Sequence, residues 1–234
     1  MAVAFGATTT QTEDTNTTSI DVFHPTSPAV DDLLLVTITV DGARIIGNPA
    51  GWTVIERSHN GDDSTKRSVA CYYRLYASGD PTFWSWTCSG PETLCATMTV
   101  ITGHLVSGPI DVSGIAAGDG TTPTCPDVTT TVNDTLVVRW FGQDGQSVPV
   151  APPAGVTEEW DFKAGNGSPE CNTAGGWELQ AVAGATGTGV WTGADTTNWG
   201  AFTVAVSPAA APVAAGGGSS LAEAAAYLTE WRGE

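Results

Sequence analysis

The sequence predicts an all-β protein: one jelly-roll-like antiparallel β-sandwich followed by a short C-terminal helix. β-Branched residues are abundant, with 34 threonines among 234 residues, and turn formers are frequent, with 28 glycines and 14 prolines. Such a composition is typical of many short strands joined by turns rather than of helices. Hydrophobic residues make up 41% of the chain, which is enough for a substantial core at this length.

The strands are predicted from segments in which apolar and polar residues alternate, because period two places one face of a strand in the core. Alternation, or a continuous apolar run, marks the segments 20–22, 33–40, 69–75, 177–181 and 202–206. Clusters of turn-forming residues separate them, among them NPAG, ASGDP, CSGPE, AAGDG and PPAG. No convincing amphipathic helix precedes residue 219.

The two halves of the chain resemble each other. DDLLLVTITVDG is matched by NDTLVVRWFGQDG, NPAGWTVIE by PPAGVTEEW, and MTVI by FTVA, each pair about 100 residues apart. We therefore predict two half-repeats, about 17–106 and 124–206, whose first strands would be 17–23 and 124–132. Since no linker separates them, we expect one sandwich over 1–206 built from two interleaved Greek keys, rather than two separate sandwiches.

The C-terminal segment differs in composition from the body. Residues 207–219 are rich in Pro, Ala and Gly, as in a linker, and residues 220–234 are predicted to form a helical arm that begins with a capping box. A helix this short is marginal in water, so its apolar stripe needs a surface to cover it. We expect this stripe to dock onto a partner or onto the protein's own body; it consists of Leu221, Ala225, Leu228 and Trp231.

The charge balance narrows the classes of partner. The 25 acidic and 8 basic residues give a formal net charge of −17, which repels nucleic-acid backbones and anionic membranes. The first residues, MAVAFGATTT, lack the basic and apolar regions of a secretory signal peptide, and no apolar run is long enough to span a membrane. We expect neither nucleic acid nor a membrane as a partner.

The cysteines are expected to be reduced core residues, because no export signal directs the chain to an oxidising compartment. Their number is odd and no CxxC spacing occurs. A disulfide between Cys71 and Cys95 on neighbouring strands stays open as an alternative. The full set is Cys71, Cys88, Cys95, Cys125 and Cys171.

Several motifs, taken together, resemble a recurrent β-sandwich module of tailed-bacteriophage virion proteins that also occurs in large bacterial surface proteins. The resemblance rests on DDLLLV, NPAGWT, CYYR, GDPTFWSW and PID, and it spans residues 17–206. It implies a non-enzymatic virion structural protein of the capsid-decoration, head-fibre or tail-appendage type, assembled in the host cytoplasm. Its partners would be capsid or tail subunits and further copies of itself. The chain is expected to depart from the module in carrying no signal peptide and in ending with a helical arm. We expect this arm, or alternatively the N-terminal strand, to be the attachment element.

No catalytic motif stands out, so we expect no enzymatic activity. Neither GxSxG nor HExxH occurs. Acidic residues such as Asp62, Asp63, Glu158, Glu159 and Asp161 lie in or beside turns, as in a solvated rim, although a hydrolase with two facing carboxylates stays an alternative. We expect no cofactor and no catalytic metal. The alternative here is one structural calcium ion held by AAGDGTT or HNGDDST.

Two tryptophans suggest a different function. Trp160, in EEWD, and Trp199, in TTNWG, lie nearest to loops and are the candidates for an exposed platform on which a sugar ring could stack. The alternative function is therefore a carbohydrate- or host-receptor-binding module with a host glycan as its ligand. Core packing uses the same residue type, so the burial of these two rings separates the hypotheses.

Overall fold

The computed structural model describes residues 2–59, 67–146, 148–167 and 169–210, and within these residues all regular structure is β-strand. The all-β prediction is therefore confirmed for this part of the chain. The predicted helical arm over 220–234 lies outside it. In chain order the strands are β1 Ala4–Phe23, β2 Leu33–Asp41, β3 Thr53–His59, β4 Arg67–Leu75, β5 Phe83–Thr102, β6 Ile110–Gly120, β7 Thr124–Cys125, β8 Thr135–Gln143, β9 Thr157–Ala164, β10 Cys171–Gln180, β11 Gly189–Val190 and β12 Thr197–Val206.

Two five-stranded antiparallel sheets form a sandwich, as the sequence predicts. Sheet 1 has the order β1-β5-β2-β4-β3 and sheet 2 has the order β6-β12-β8-β10-β9, while β7 and β11 pair separately. Each sheet draws its strands from one contiguous part of the chain. The strands of the two parts therefore do not alternate within a sheet, unlike the interleaved Greek keys expected from the sequence.

Three strands, β1, β5 and β6, include segments that the sequence analysis did not predict as strand. β1 begins at Ala4 instead of residue 17, and it pairs along β5, which contains the CSGPE segment. The edge strand of sheet 2 is β6, which includes AAGDG, and not the segment 124–132. Gly118 explains this: a Cβ there would collide with the Trp199 ring, so the glycine permits close packing rather than a turn.

The core shared by both sheets is apolar and dense. At its centre the rings of Trp140 and Phe202 stack with centroids 4.0 Å apart and an interplanar angle of 7°. Towards one end the sheets approach closely, because a Cβ on Gly142 of sheet 2 would collide with the Thr39 side chain of sheet 1. The fully or largely buried members of this core include Leu33, Leu35, Val69, Cys71, Ile101, Leu136, Val138, Val204 and Val206.

A Pro-Ala-Gly turn leads into β3 and another leads into β9. The Trp52 amide donates a hydrogen bond to the Pro49 carbonyl at 3.3 Å, and the Val156 amide donates to Pro153 at 3.1 Å. The glycine in each turn has a positive φ, +81° at Gly51 and +88° at Gly155. This is the left-handed conformation that a type II turn requires at its third position, which explains the glycine.

All five cysteines are buried free thiols. The Sγ atoms of Cys95 and Cys171, from different sheets, lie 3.4 Å apart, whereas Cys71 lies in a separate part of the core. The alternative pairing of Cys71 with Cys95 is therefore not present. Burial raises the pKa of Cys125 to about 11 and also raises the pKa values of Cys71, Cys88 and Cys171.

We expect a soluble thiol reagent at neutral pH to label none of the five cysteines in the native protein and all five in denaturant. All five thiols are buried beyond the reach of a soluble reagent, and the raised pKa values of Cys71, Cys88, Cys125 and Cys171 further lower their thiolate fractions, so labelling requires opening of the sandwich. The measurement is intact mass against labelling time, with and without denaturant. Labelling of a native thiol at the rate of free cysteine would contradict the burial described here. Cys88, at 8% exposure, is the thiol expected to react first as denaturant is raised.

Candidate functional site: an apolar groove at the end of the sandwich

An apolar groove of about 720 Å³ lies at one end of the sandwich. It is formed where several strands begin or end: just before β1 and β8, near the end of β10, and just after β5 and β12. Its lining residues come from distant parts of the chain and are Ala2, Val3, Leu105, Val132, Asn133, Asp134, Leu179, Ala181, Ser207, Pro208, Ala209 and Ala210.

Backbone hydrogen bonds fix the wall of this groove. The Leu105 amide donates to the Ser207 carbonyl at 2.9 Å, and the Ser207 amide donates to Pro109 at 2.8 Å. The Ala209 amide donates to the Gly103 carbonyl at 2.7 Å. The segment after β12 is thus tied to the loop after β5, and the described chain ends, at Ala210, inside the groove wall.

Several large apolar side chains in and beside the groove are exposed to solvent. Leu105 and Val132 are 37% and 39% exposed, Leu179 is 60% exposed, and Val182, which follows the lining residue Ala181 by one position, is 69% exposed. Asp134 is the single charged residue among those that line the groove. A contiguous apolar surface of this kind is typical of a site that binds another apolar surface.

The sequence did not reveal this groove, because its members are isolated apolar residues beside turns and share no periodic pattern. The feature of the sequence that points to the groove is the position of Leu105, Val132 and Val182 beside turn-forming residues, because an apolar side chain there does not belong to the apolar face of a strand. The residues that the sequence proposed for partner docking, Leu221, Ala225, Leu228 and Trp231, lie outside the described part of the chain.

The structure does not show the exposed platform predicted at Trp160 and Trp199, because both side chains are buried. Trp160 is 4% and Trp199 is 8% exposed. Each ring lies over a glycine of a neighbouring strand: a Cβ on Gly175 would collide with Trp160, and a Cβ on Gly118 would collide with Trp199. The two glycines leave space for the rings inside the protein, so these side chains serve packing and offer no stacking surface to a sugar.

The sequence analysis placed Glu158, Glu159 and Asp161 in or beside turns, but they lie within strand β9, and two of them accept hydrogen bonds from other segments. Glu159 accepts a hydrogen bond from Trp177 Nε1 at 2.7 Å, and Asp161 accepts one from the Val150 amide at 2.6 Å. Partial burial raises the pKa values of Glu158 and Asp161. Asp62 and Asp63, with the rest of the HNGDDST loop after residue 59, lie outside the described residues. Among the described residues, no three His, Cys, Asp or Glu side chains are arranged to hold a metal ion.

The structure also reveals a buried carboxyl group that the sequence analysis did not single out. Asp41, at the opposite end of the sandwich from the groove, is 9% exposed and accepts a hydrogen bond from the Glu170 amide at 3.1 Å. Burial, reinforced by Asp144 and Glu92, raises the pKa of Asp41 to about 7. Its cross-strand register partner, Arg67, is 4% exposed, and burial lowers the pKa of that guanidinium to about 10.

Comparison with protein families, with curated proteins and with solved structures gives no match to this chain. Within the described residues there is also no helix of the length and hydrophobicity needed to cross a membrane.

Proposed function

We propose that the protein is a non-enzymatic structural component of a virion that attaches through the apolar stripe of its C-terminal arm. The type of protein is a capsid-decoration, head-fibre or tail-appendage protein of a tailed bacteriophage. The resemblance of the DDLLLV, NPAGWT and GDPTFWSW motifs to the virion module supports this assignment, and the all-β sandwich is compatible with it. The assignment to a virion is an analogy at the level of fold and motif.

The observation that carries the attachment part of the proposal is the position of the chain exit. The described chain leaves the sandwich at Ala210, in the wall of the apolar groove, and the residues that follow include the stripe Leu221, Leu228 and Trp231. The stripe is therefore joined to the body at its apolar end, in a protein that is otherwise strongly acidic, with a formal net charge of −17. Burial of apolar surface can stabilise attachment to another acidic protein, whereas contacts between the charged surfaces of two acidic proteins would be repulsive.

We also propose that the two sheets are copies of one unit of about 100 residues, as in the half-repeats predicted from the sequence, except that β6 rather than the segment 124–132 is the counterpart of β1. Three observations support this. The two sheets have the same strand order once β7 and β11 are set aside, and the matching Pro-Ala-Gly turns precede β3 and β9. The matching apolar segments form β2 and β8, which occupy the central position of their sheets.

Deletion of residues 216–234 is expected to lower the number of copies bound per particle at least about tenfold while the sandwich stays folded. The physical reason is that the deletion removes the apolar area that leaves water on attachment. A finer variant, Leu228→Asp, should act in the same direction. Ala226→Asp serves as the matched control, because it places the same charge on the opposite face of the predicted helix.

The measurement is the amount of protein that co-sediments with purified particles, quantified by mass spectrometry. Unchanged occupancy after the deletion would overturn the proposal. Equal losses for Leu228→Asp and Ala226→Asp would show that the stripe is not the attaching surface.

A further inference from the structure

We infer that, in the free protein, residues 220–234 lie in the apolar groove of the same chain. The groove and the arm would then form an intramolecular contact that covers the apolar stripe until a partner replaces the groove. This inference concerns the unassembled protein and goes beyond the proposed attachment to a particle. It rests on four properties of the described residues and of the sequence that follows them.

The first property is reach. The chain is fixed at Ala209 by its hydrogen bond to Gly103, and Ala210 already lines the groove. Residues 211–220 separate this point from Leu221. Ten residues span at most about 35 Å when extended and about 17 Å on average as a Gly-rich coil. The stripe is thus tethered beside the groove at a distance that the linker covers easily.

The second property is chemical complementarity. The groove presents Leu105, Val132 and Leu179, which are 37–60% exposed, and the arm presents large apolar residues at helical spacing. A groove volume of about 720 Å³ is large enough for several such side chains. The exposed apolar side chains of the groove thus match the apolar residues of the arm in chemical character.

The third property is charge. The arm carries Glu223, Glu230 and Glu234 against the single cation Arg232, so it is acidic like the rest of the chain. Most of the protein surface would repel it, since the whole chain has a formal net charge of −17. The groove lining has only the carboxylate of Asp134, which makes it a region where an acidic arm meets little repulsion.

The fourth property is effective concentration. A segment held by a short linker reaches local concentrations of the order of millimolar, far above the micromolar concentrations of a second copy in dilute solution. Contact with the same chain is therefore favoured over exchange of arms between two copies. In a particle, where copies are crowded and a neighbour offers its own apolar surface, this advantage is reduced.

The experiment that tests the inference is hydrogen exchange on the full chain, read at the amides of residues 220–234. An isolated helix of this length gives almost no protection, so docking should slow exchange of these amides at least about tenfold. Leu179→Asp, a change at a largely exposed groove position, should abolish that protection. Val190→Asp is the matched control, because Val190 is 40% exposed and does not line the groove.

Disulfide trapping distinguishes the same chain from a second copy. In the variant with Leu179→Cys and Leu228→Cys, mild oxidation with oxidised glutathione should give a cross-linked monomer, with two glutathione thiols released for each disulfide formed. The native cysteines, all buried, do not interfere. If oxidation instead gives cross-linked dimers, and their yield falls when the reaction is carried out at lower protein concentration, the arms are exchanged between two copies and this inference is wrong. Unprotected arm amides in the wild-type chain would overturn it outright, whatever the occupancy of the deletion variant on particles.

Discussion

Replacing Arg139 by alanine is expected to lower the free energy of unfolding by about 3 kcal/mol. Arg139 lies on β8, and its side chain is 2% exposed. Its Nε donates a hydrogen bond to Glu178 Oε1 at 2.7 Å, and its Nη2 donates to the carbonyls of both Thr186 and Gly187, at 2.9 and 3.0 Å. Truncation would leave these acceptors without their donor in a mostly buried site.

The expected value is at the lower end of the range for a broken buried pair, because Glu178 is 24% exposed and water can solvate part of its charge. The measurement is equilibrium unfolding in urea. Arg44→Ala is the matched control: Arg44 also forms an ion pair, with Glu92, but it is 38% exposed, so its loss should cost less than about 1 kcal/mol. Equal, small effects at both positions would contradict the buried network around Arg139.

Replacing Asp41 by asparagine is expected to stabilise the protein at pH 8 by about 2 kcal/mol and to have little effect at pH 4. Burial raises the pKa of Asp41 from 3.8 to about 7, so the folded protein binds a proton that the unfolded chain releases. Stability of the wild type therefore falls as pH rises from about 4 to about 7 and stays lower above that range. Asparagine does not titrate, and its side-chain oxygen can still accept the hydrogen bond from the Glu170 amide.

The full pKa shift of Asp41 would correspond to about 4 kcal/mol of stability. The expected effect is about half of this, because solvent screens a charge at one end of the sandwich. The measurement is the difference in unfolding free energy between variant and wild type at several pH values. Asp21→Asn, the same change at an exposed position on β1, controls for the loss of one negative charge. A difference for Asp41→Asn that does not grow between pH 4 and pH 8 would contradict the raised pKa.

Strands that are buried on one or both faces could be predicted from the sequence, while largely exposed or glycine-rich strands could not. Leu33–Val40 and Phe202–Val206 face a core and therefore show apolar runs or alternation. Most of β1, from Ala4 to Ser19, is an edge strand whose residues are largely exposed or half-buried, so its threonines carry no periodic signal. The glycines of β6 appeared to mark a turn because a sequence does not show that Trp199 occupies the space beside Gly118.

The candidate site could be predicted only in part. The arm is visible as an amphipathic pattern in one continuous segment, whereas the groove joins Val3, Leu105, Val132, Leu179 and Pro208, which become neighbours only through the fold. The exposed platform at Trp160 failed for a related reason: proximity to a loop in sequence says nothing about the depth of a ring. The raised pKa of Asp41 likewise depends on Glu92 and Asp144, which are distant along the chain.

The contiguity of each sheet has a consequence for the order of folding. Every strand partner of sheet 1 lies within β1–β5, so this sheet can complete its hydrogen bonds as soon as Thr102 has been synthesised. During translation its inner face, with Leu35 and Val69, then stays uncovered until β8 and β12 follow. We therefore expect the first half to expose this apolar face until the second half covers it, and we expect two fragments cut between β5 and β6 to associate through the same face.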